Sequence, residues 1–200
     1  SVSNIINGTT RLQPMVMQIG QAAGALAALA VKENKNISEV SVREVQNVIL
    51  DAKGYLLPYL DVAMDHPMFK SLQRVGSTGI LKGIGKSVDW ANQTWFRADT
   101  LLLANELEGL RDVYPFVDKQ NFEGNNTISI QKAVEMIEGI AEKESIELKK
   151  GRIEEIWSEF GLKDLDMNRN ILRGEMAILI DQILDPFNNK KIDITGQYIQ

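Results

Sequence analysis

The stretch Gly79-Ile-Leu-Lys-Gly83-Ile-Gly85-Lys86-Ser87 has the residue types of a phosphate-binding loop. In such a loop glycine amides cradle phosphate oxygens, and a Lys followed by a hydroxyl completes the cradle. The pattern requires a glycine five positions before the glycine of Gly-Lys-Ser. That position is Ile80, so the spacing misses by one residue, and no apolar strand leads into it. Gly83-x-Gly85-x-x-Val88 likewise lacks the third glycine of a dinucleotide fingerprint. These residues read as a glycine-rich turn after a helix. Trp90, Trp95 and Phe96, with Asn92 and Gln93, have the composition of a sugar-stacking platform. The competing reading is that the aromatics pin a long loop onto a helical core. The only histidine, His66, sits directly before Pro67. A catalytic triad or a histidine metal site needs partners that the sequence does not display, so His66 is expected to open a helix. Asp61 and Asp65 are too isolated to propose as a carboxylate pair. Glu138, Glu142, Glu144, Glu147, Glu154 and Glu155 read as a solvated helix face.

A different kind of signal lies near the start of the chain. Gly20, Ala23, Gly24, Ala27 and Ala28 fall at i, i+3, i+4, i+7 and i+8, which puts their small side chains on one helix face. Such a face permits near-backbone approach. Glycine in a helix interior costs about 1 kcal/mol relative to alanine, so two of them imply a compensating contact. The expected covers are residues 41–60 or a second copy of the chain, a homodimer through Gly20, Ala23, Gly24 and Ala27. No other partner for the face is evident, and the chain reads as part of something larger.

Composition narrows the function classes. An apolar fraction of 44% and a charged fraction of 24% are those of an ordinary globular protein. A net charge of −5 and a pI near 5.1 give no electrostatic case for nucleic acid. The densest basic cluster, Lys149, Lys150 and Arg152, is set among glutamates. The absence of cysteine excludes disulfide and thiolate chemistry. Sequons occur at Asn7, Asn36, Asn92 and Asn125, without a secretory context to give them meaning. The first residues lack the basic and apolar segments of a signal peptide, and a first residue other than Met suits a fragment. Residues 12–31 are long enough to suggest a membrane span, but Gln13, Pro14, Gln18, Gln21 and the dominance of Ala argue against one. The expected compartment is periplasm or cytoplasm, with no residue deciding between them.

The periodicities predict a mainly α protein, a helical bundle or orthogonal helix array with long loops and little or no sheet. Helices are expected over about 15–32, with Pro14 in the first turn, and after Ser41, where Ser41 and Glu44 form a capping box and Gly54 the C-terminal cap. Further helices are expected over about 66–75, 100–110, 129–143, 150–160 and 172–184. Residues 82–97 are expected to form a long loop, and the tail from Asn188 to be partly extended or disordered. Residues 61–66 look like a boundary, giving a first domain over 1–62 and a second over 63–200. Within the second, residues 68–116 and 152–187 share an order of helix, glycine turn, loop, Arg, apolar helix and Pro-Phe. This suggests two related halves, 66–116 and 127–187, although capped helix pairs look alike by physics alone.

Residues 7–30, Asn-Gly-Thr-Thr-Arg-Leu-Gln-Pro-Met-Val-Met-Gln-Ile-Gly-Gln-Ala-Ala-Gly-Ala-Leu-Ala-Ala-Leu-Ala, resemble the closing segment of the FAD-dependent oxidoreductase family. Some bacterial members of that family carry a xanthan lyase label. The resemblance extends over roughly residues 4–60. It implies an Arg-containing turn and a Gly-Gln-Ala-Ala-Gly helix packed beside the flavin, whose N-terminal amides face the ring's electron-rich edge. Thr10, Arg11, Leu12, Gln13, Pro14 and Met15 are the positions it brings to the isoalloxazine and ribityl region, with Arg11 suited to reduced-flavin negative charge. The chain departs from the family in having no FAD fingerprint and no strands for a nucleotide fold. FAD is therefore expected in the parent protein and none on this chain alone, whose partner would be the missing N-terminal FAD-binding domain. The later region, through Phe96-Arg97 and Leu172-Arg173-Gly174-Glu175, is similar to surface-layer-homology helical repeats. Those bind glycan through a Thr-Arg-Ala-Glu-like string, of which Thr and Ala are missing here. The expected function is thus the C-terminal region of a flavin-dependent oxidoreductase, not catalytic by itself. The alternative is a non-catalytic helical module that binds carbohydrate or a partner protein.

Overall fold

Pro14 lies in the first turn of α1 (Gln13–Glu33), where its fixed φ suits the helix and its missing N–H leaves no bond unmade. The computed structural model describes residues 13–199. They form two compact units, one of residues 13–55 with 192–199 and one of residues 56–191.

In the first unit, the C-terminal half of α1 turns Leu26, Leu29 and Ala30 onto Val40 and Val45. A 3-10 turn (Ile37–Glu39) leads to α2 (Val42–Asp51), which starts as the capping box requires: the Ser41 N–H donates to the Glu44 carboxylate at 3.2 Å. The end of α2 differs from expectation. Lys53, at φ 59°, takes the left-handed position, and the Gly54 N–H returns to the Ile49 carbonyl at 2.8 Å. Glycine is needed one residue later because a Cβ at Gly54 would fall 2.7 Å from Ile49 Cγ2. The tail is partly extended, as expected, around a turn. Asp193 accepts from the N–H groups of Thr195 (2.8 Å) and Gln197 (3.0 Å), and Ile192 bridges Tyr198.

The second unit opens with the irregular run 56–60. The buried Gln73 amide satisfies its backbone, accepting from the Leu56 and Leu57 N–H groups at 2.8 Å and donating to the Leu57 carbonyl at 2.9 Å. Gln73 belongs to α3 (Phe69–Ser77), which buries Phe69, Leu72 and Val75. The expected loop 82–97 is instead an antiparallel hairpin of β1 (Ile84–Val88) and β2 (Ala91–Trp95), with Ile84 opposite Trp95 and Val88 opposite Ala91. Asp89, at φ 51°, occupies the turn. Its strands, Ile-Gly-Lys-Ser-Val and Ala-Asn-Gln-Thr-Trp, show little apolar alternation, so the period-two signal is missing.

The Leu-rich run 100–110 is also not one helix. Its residues form an extended stretch, a 3-10 turn (Ala104–Leu107) and a single turn α4 (Leu110–Val113). The backbone there is committed to partners distant in sequence. Leu102 N–H donates to the Ile171 carbonyl at 3.0 Å, Ala104 N–H to Asn126 at 2.9 Å, and Ile171 N–H to Ile128 at 2.8 Å. Three segments thus meet in pairs, through the bridges Leu101–Leu172, Leu103–Thr127 and Ser129–Asn170. Each leads directly into a helical start: the turn at 104, α5 (Ile130–Lys143), and α7 (Arg173–Leu179). Between the last two lie α6 (Arg152–Glu159) and Gly161 at φ 61°, as the sequence predicts.

The run 172–184 is buried on nearly every side, as befits a central helix. It widens from α7 into a π turn (Ile180–Leu184) and stops at Asp185, which caps a short α8 (Pro186–Asn189). The mainly α class stands: among the described residues the sheet is limited to the two-stranded hairpin.

Arg173, 1% exposed, joins these parts. Its Nε donates to the Phe96 carbonyl (2.9 Å), its Nη2 to the Lys82 carbonyl (2.9 Å) and its Nη1 to the Glu106 carboxylate. The guanidinium also lies 5.3 Å from the centre of the Phe96 ring. Replacing Arg173 by Met leaves two carbonyls and a carboxylate without their donors. Removing one partner of a buried pair costs about 3–5 kcal/mol, and urea unfolding of Arg173→Met is expected to show a loss of that order. Arg173→Lys is expected to recover only part of it, since one ammonium does not reproduce the fork. A loss below about 1 kcal/mol in the Met variant would contradict this role.

Candidate functional site

One face of α1 carries Val16, Met17, Gly20, Gly24, Ala27, Ala28 and Val31, each exposed, and exposed Ala23 lies where this face meets the groove toward α2. Met17 is 74% and Val31 83% exposed. A Cβ built at Gly20 or Gly24 meets no atom within 4 Å. Charge on the helix is confined to Lys32 and Glu33 at its last turn. By length and composition α1 is sufficient to cross a membrane. On its other side, Ile19, Ala22, Leu26, Ile37, Val45 and Ile194 line an open groove of 970 Å³. This unit therefore presents two adjoining apolar surfaces, one flat and one concave.

Three of the six expected flavin-facing positions lie at the N-terminal end of this helix. Gln13, Pro14 and Met15 form its exposed first turn, while Thr10, Arg11 and Leu12 lie outside the described residues. The first amides of an α-helix have no intrahelical acceptor and favour an electron-rich group. A flat, electron-rich ring is one group that such amides favour. A dinucleotide needs more, namely a parallel sheet and a glycine-rich strand–turn–helix for its pyrophosphate. The described residues contain neither, so by themselves they do not form a dinucleotide site.

The candidate motifs of the second unit take structural roles. Gly79, at φ 79°, ends α3, and Ile84–Val88 is an antiparallel strand, so the phosphate-loop reading fails on geometry as it does on spacing. The aromatic platform is not assembled. Phe96 is buried edge-on against Tyr59, with centroids 5.3 Å apart. Trp95 is half-buried and donates Nε1–H to the Gln93 amide at 3.1 Å, and Trp90 stands at the hairpin tip, 96% exposed. Burial raises the Tyr59 phenol to about 12. His66 opens α3 as expected, its Nδ1 accepting from the Met68 N–H at 3.1 Å. Asp61 is engaged by the N–H groups of Phe96 (2.8 Å) and Arg97 (2.6 Å). Of the six glutamates, Glu144 is half-buried and accepts from Lys190 at 2.5 Å, and the others are exposed. Among the described residues no group of three or more His, Cys, Asp or Glu side chains is placed to hold a metal.

One polar cluster has no precursor in the sequence reading. Arg169 donates to Glu175 at 2.6 and 2.9 Å and to the carbonyls of Lys163 (2.8 Å) and Asp164 (2.6 Å). The hydrogen bond to Glu175 holds the guanidinium above its ordinary value. Arg169 sits beside an open pocket of 390 Å³ that also includes Leu101, Asn170 and Leu172. The carboxylate partner lies six residues away across a turn, a spacing that no helix or strand period announces.

The family model described as FAD dependent oxidoreductase matches residues 1–49. That span takes in α1 and nearly all of α2, and with them the exposed glycine and alanine face. No curated protein and no solved structure matches the chain.

The open face makes a direct prediction. With nothing within 4 Å of either position, Gly20→Ala and Gly24→Ala are expected to stabilise α1 in this chain, each by up to about 1 kcal/mol. Circular dichroism during thermal unfolding measures it. A loss of stability would mean that the face is covered in solution.

Proposed function

We propose that this chain is the C-terminal region of a flavin-dependent oxidoreductase, with residues 1–62 closing the flavin-binding domain and residues 63–200 forming a helical accessory domain. One observation carries the reading: the uncovered apolar face of α1 falls inside the residues similar to FAD dependent oxidoreductases. Exposed apolar area costs about 25 cal/mol per Å² relative to burial, and the rest of the flavin domain is a cover of the right chemistry. In the parent protein Thr10, Arg11, Leu12, Gln13, Pro14 and Met15 approach the isoalloxazine and ribityl region. The glutamines of α1 and its alanine-rich composition favour a packing helix over a membrane span. A lyase reading has little support. Such a reaction needs a base and a carboxylate neutraliser, and His66 already uses its Nδ1 to start α3.

The visible absorbance of the protein made from its full natural reading frame tests this reading. A bound-flavin spectrum is expected. A folded protein that stays colourless with added FAD would overturn it. In the intact protein Arg11→Ala and Gly24→Leu are each expected to lower FAD retention at least about tenfold, a change of about 1.4 kcal/mol. Full retention in Arg11→Ala would remove Arg11 from the site.

A second reading concerns residues 56–191 alone, as a carbohydrate-binding module similar to surface-layer-homology repeats. The three pairwise-bridged segments, each opening a helix, favour it. So do Glu106 and Glu175, which accept from the N–H three residues back at 2.9 Å each. Gly174 stands where the repeat string has Ala because a Cβ there would lie 3.0 Å from Ala98. Titration with polysaccharides, followed by tryptophan fluorescence, is expected to report binding through the exposed Trp90. No shift with any polysaccharide would count against the module.

A further inference from the structure

Asp181 is a carboxylate only 3% exposed, carried under α3 by the π turn. Its Oδ2 accepts from the Ser71 hydroxyl and from the Gln182 amide, both at 2.8 Å, and its Oδ1 lies 3.2 Å from Arg74 Nε. That last pair is close but not aligned, since neither atom makes a hydrogen bond among the described residues. Arg74 is shared, for its Nη2 donates to the Asp185 carboxylate and its guanidinium lies 5.2 Å from the centre of the Phe187 ring. The widened turn closes with the Asp185 N–H on the Ile180 carbonyl at 3.0 Å, and this holds both carboxylates on one guanidinium. One cation thus serves two anions, and the deeper anion has the less aligned contact. The charged groups acting on Asp181 are Arg74 from α3 and Asp185 at the start of α8; Ser71 and Gln182 add neutral donors. Helix α5, which also packs on the widened turn, buries Ala133, Val134, Ile137, Ile140 and Ala141 and no charged side chain.

We propose that this cluster is a proton-operated clasp, in which uptake of one proton by Asp181 leaves Arg74 to Asp185 alone and strengthens the hold of α3 on the C-terminal helices. Burial pushes the Asp181 carboxyl above the ordinary carboxylate range; Asp185 adds to this, while Arg74, Ser71 and Gln182 oppose it. A carboxyl raised in the folded state binds its proton more tightly there than in the unfolded chain. Its contribution to stability is complete below the ordinary carboxylate range and is lost as pH rises through the raised folded value.

The test uses the full chain. Asp181→Asn copies the neutral form and keeps an acceptor for Ser71. At pH 7.5 it is expected to melt about 2–4 °C above the unaltered chain, and the gap should narrow with falling pH and close below the ordinary carboxylate range, where the carboxyl is neutral in the folded and the unfolded chain alike. A carbon-13 NMR titration of the Asp181 carboxyl is expected to show a midpoint above that of an ordinary aspartate. Asp185→Asn is expected to lower that midpoint by freeing Arg74 for Asp181. Melting curves that run parallel with pH in the unaltered chain and in Asp181→Asn would overturn the clasp. So would a midpoint at or below the ordinary value, and this second measurement decides the matter even where Asp181→Asn does not fold.

Discussion

The unit of residues 56–191 is organised around one buried cation. Arg173 is fixed at the first position of the central helix, and its fork reaches the backbone at both roots of the hairpin, Lys82 and Phe96, and the carboxylate of Glu106. A buried guanidinium is tolerable only when its donors are engaged, so none of these three elements can shift without exposing a cost. The rest follows outward. Phe96 is held between the guanidinium and the edge of Tyr59, Tyr59 lies against Gly76 of α3, and Asp61 ties the preceding irregular segment to the Phe96 and Arg97 amides. Lysine has the charge but not the planar geometry that several acceptors need.

Apart from Arg173 and Glu175 at one end and Asp181 and Gln182 at the other, helix α7 and its π extension are apolar, which leaves their rotation weakly specified by apolar packing alone. Two polar anchors remove the ambiguity, Arg173 at one end and Asp181 at the other. The first is nearly saturated with aligned bonds and the second is not. A saturated network serves rigidity, while an under-partnered one is where protonation can act. The same element therefore combines a fixed point with a titratable one.

The unit of residues 13–55 and 192–199 follows a different logic. Its long helix buries little beyond Leu29 and Ala30, and it presents an uncharged face of small and apolar side chains to solvent. Groups of this kind gain stability by burial against another surface. Similarity to FAD dependent oxidoreductases falls on this unit, over residues 1–49, and the proposed cover is the remainder of that domain.

Local chemistry was legible in the sequence where a residue acts on its own neighbours. The Ser41–Glu44 box, the helices expected over 129–143 and 150–160, His66 before α3, and the glycine and alanine face of α1 all rest on short-range spacings. The mainly α class follows from the same short-range periodicity. Wherever backbone bonds go to distant segments, that periodicity misleads. Residues 100–103 carry the leucines of a helix but spend their amides and carbonyls on residues 171–173, and the polar strands 84–88 and 91–95 are set by pairing and by their roots on Arg173. Nothing in Arg169, Arg173 or Asp181 as residue types distinguishes them from surface charges. Their partners lie between 1 and 110 positions away, and only the tertiary structure, by removing water from the bonds between them, turned these charges into the fixed points of the fold.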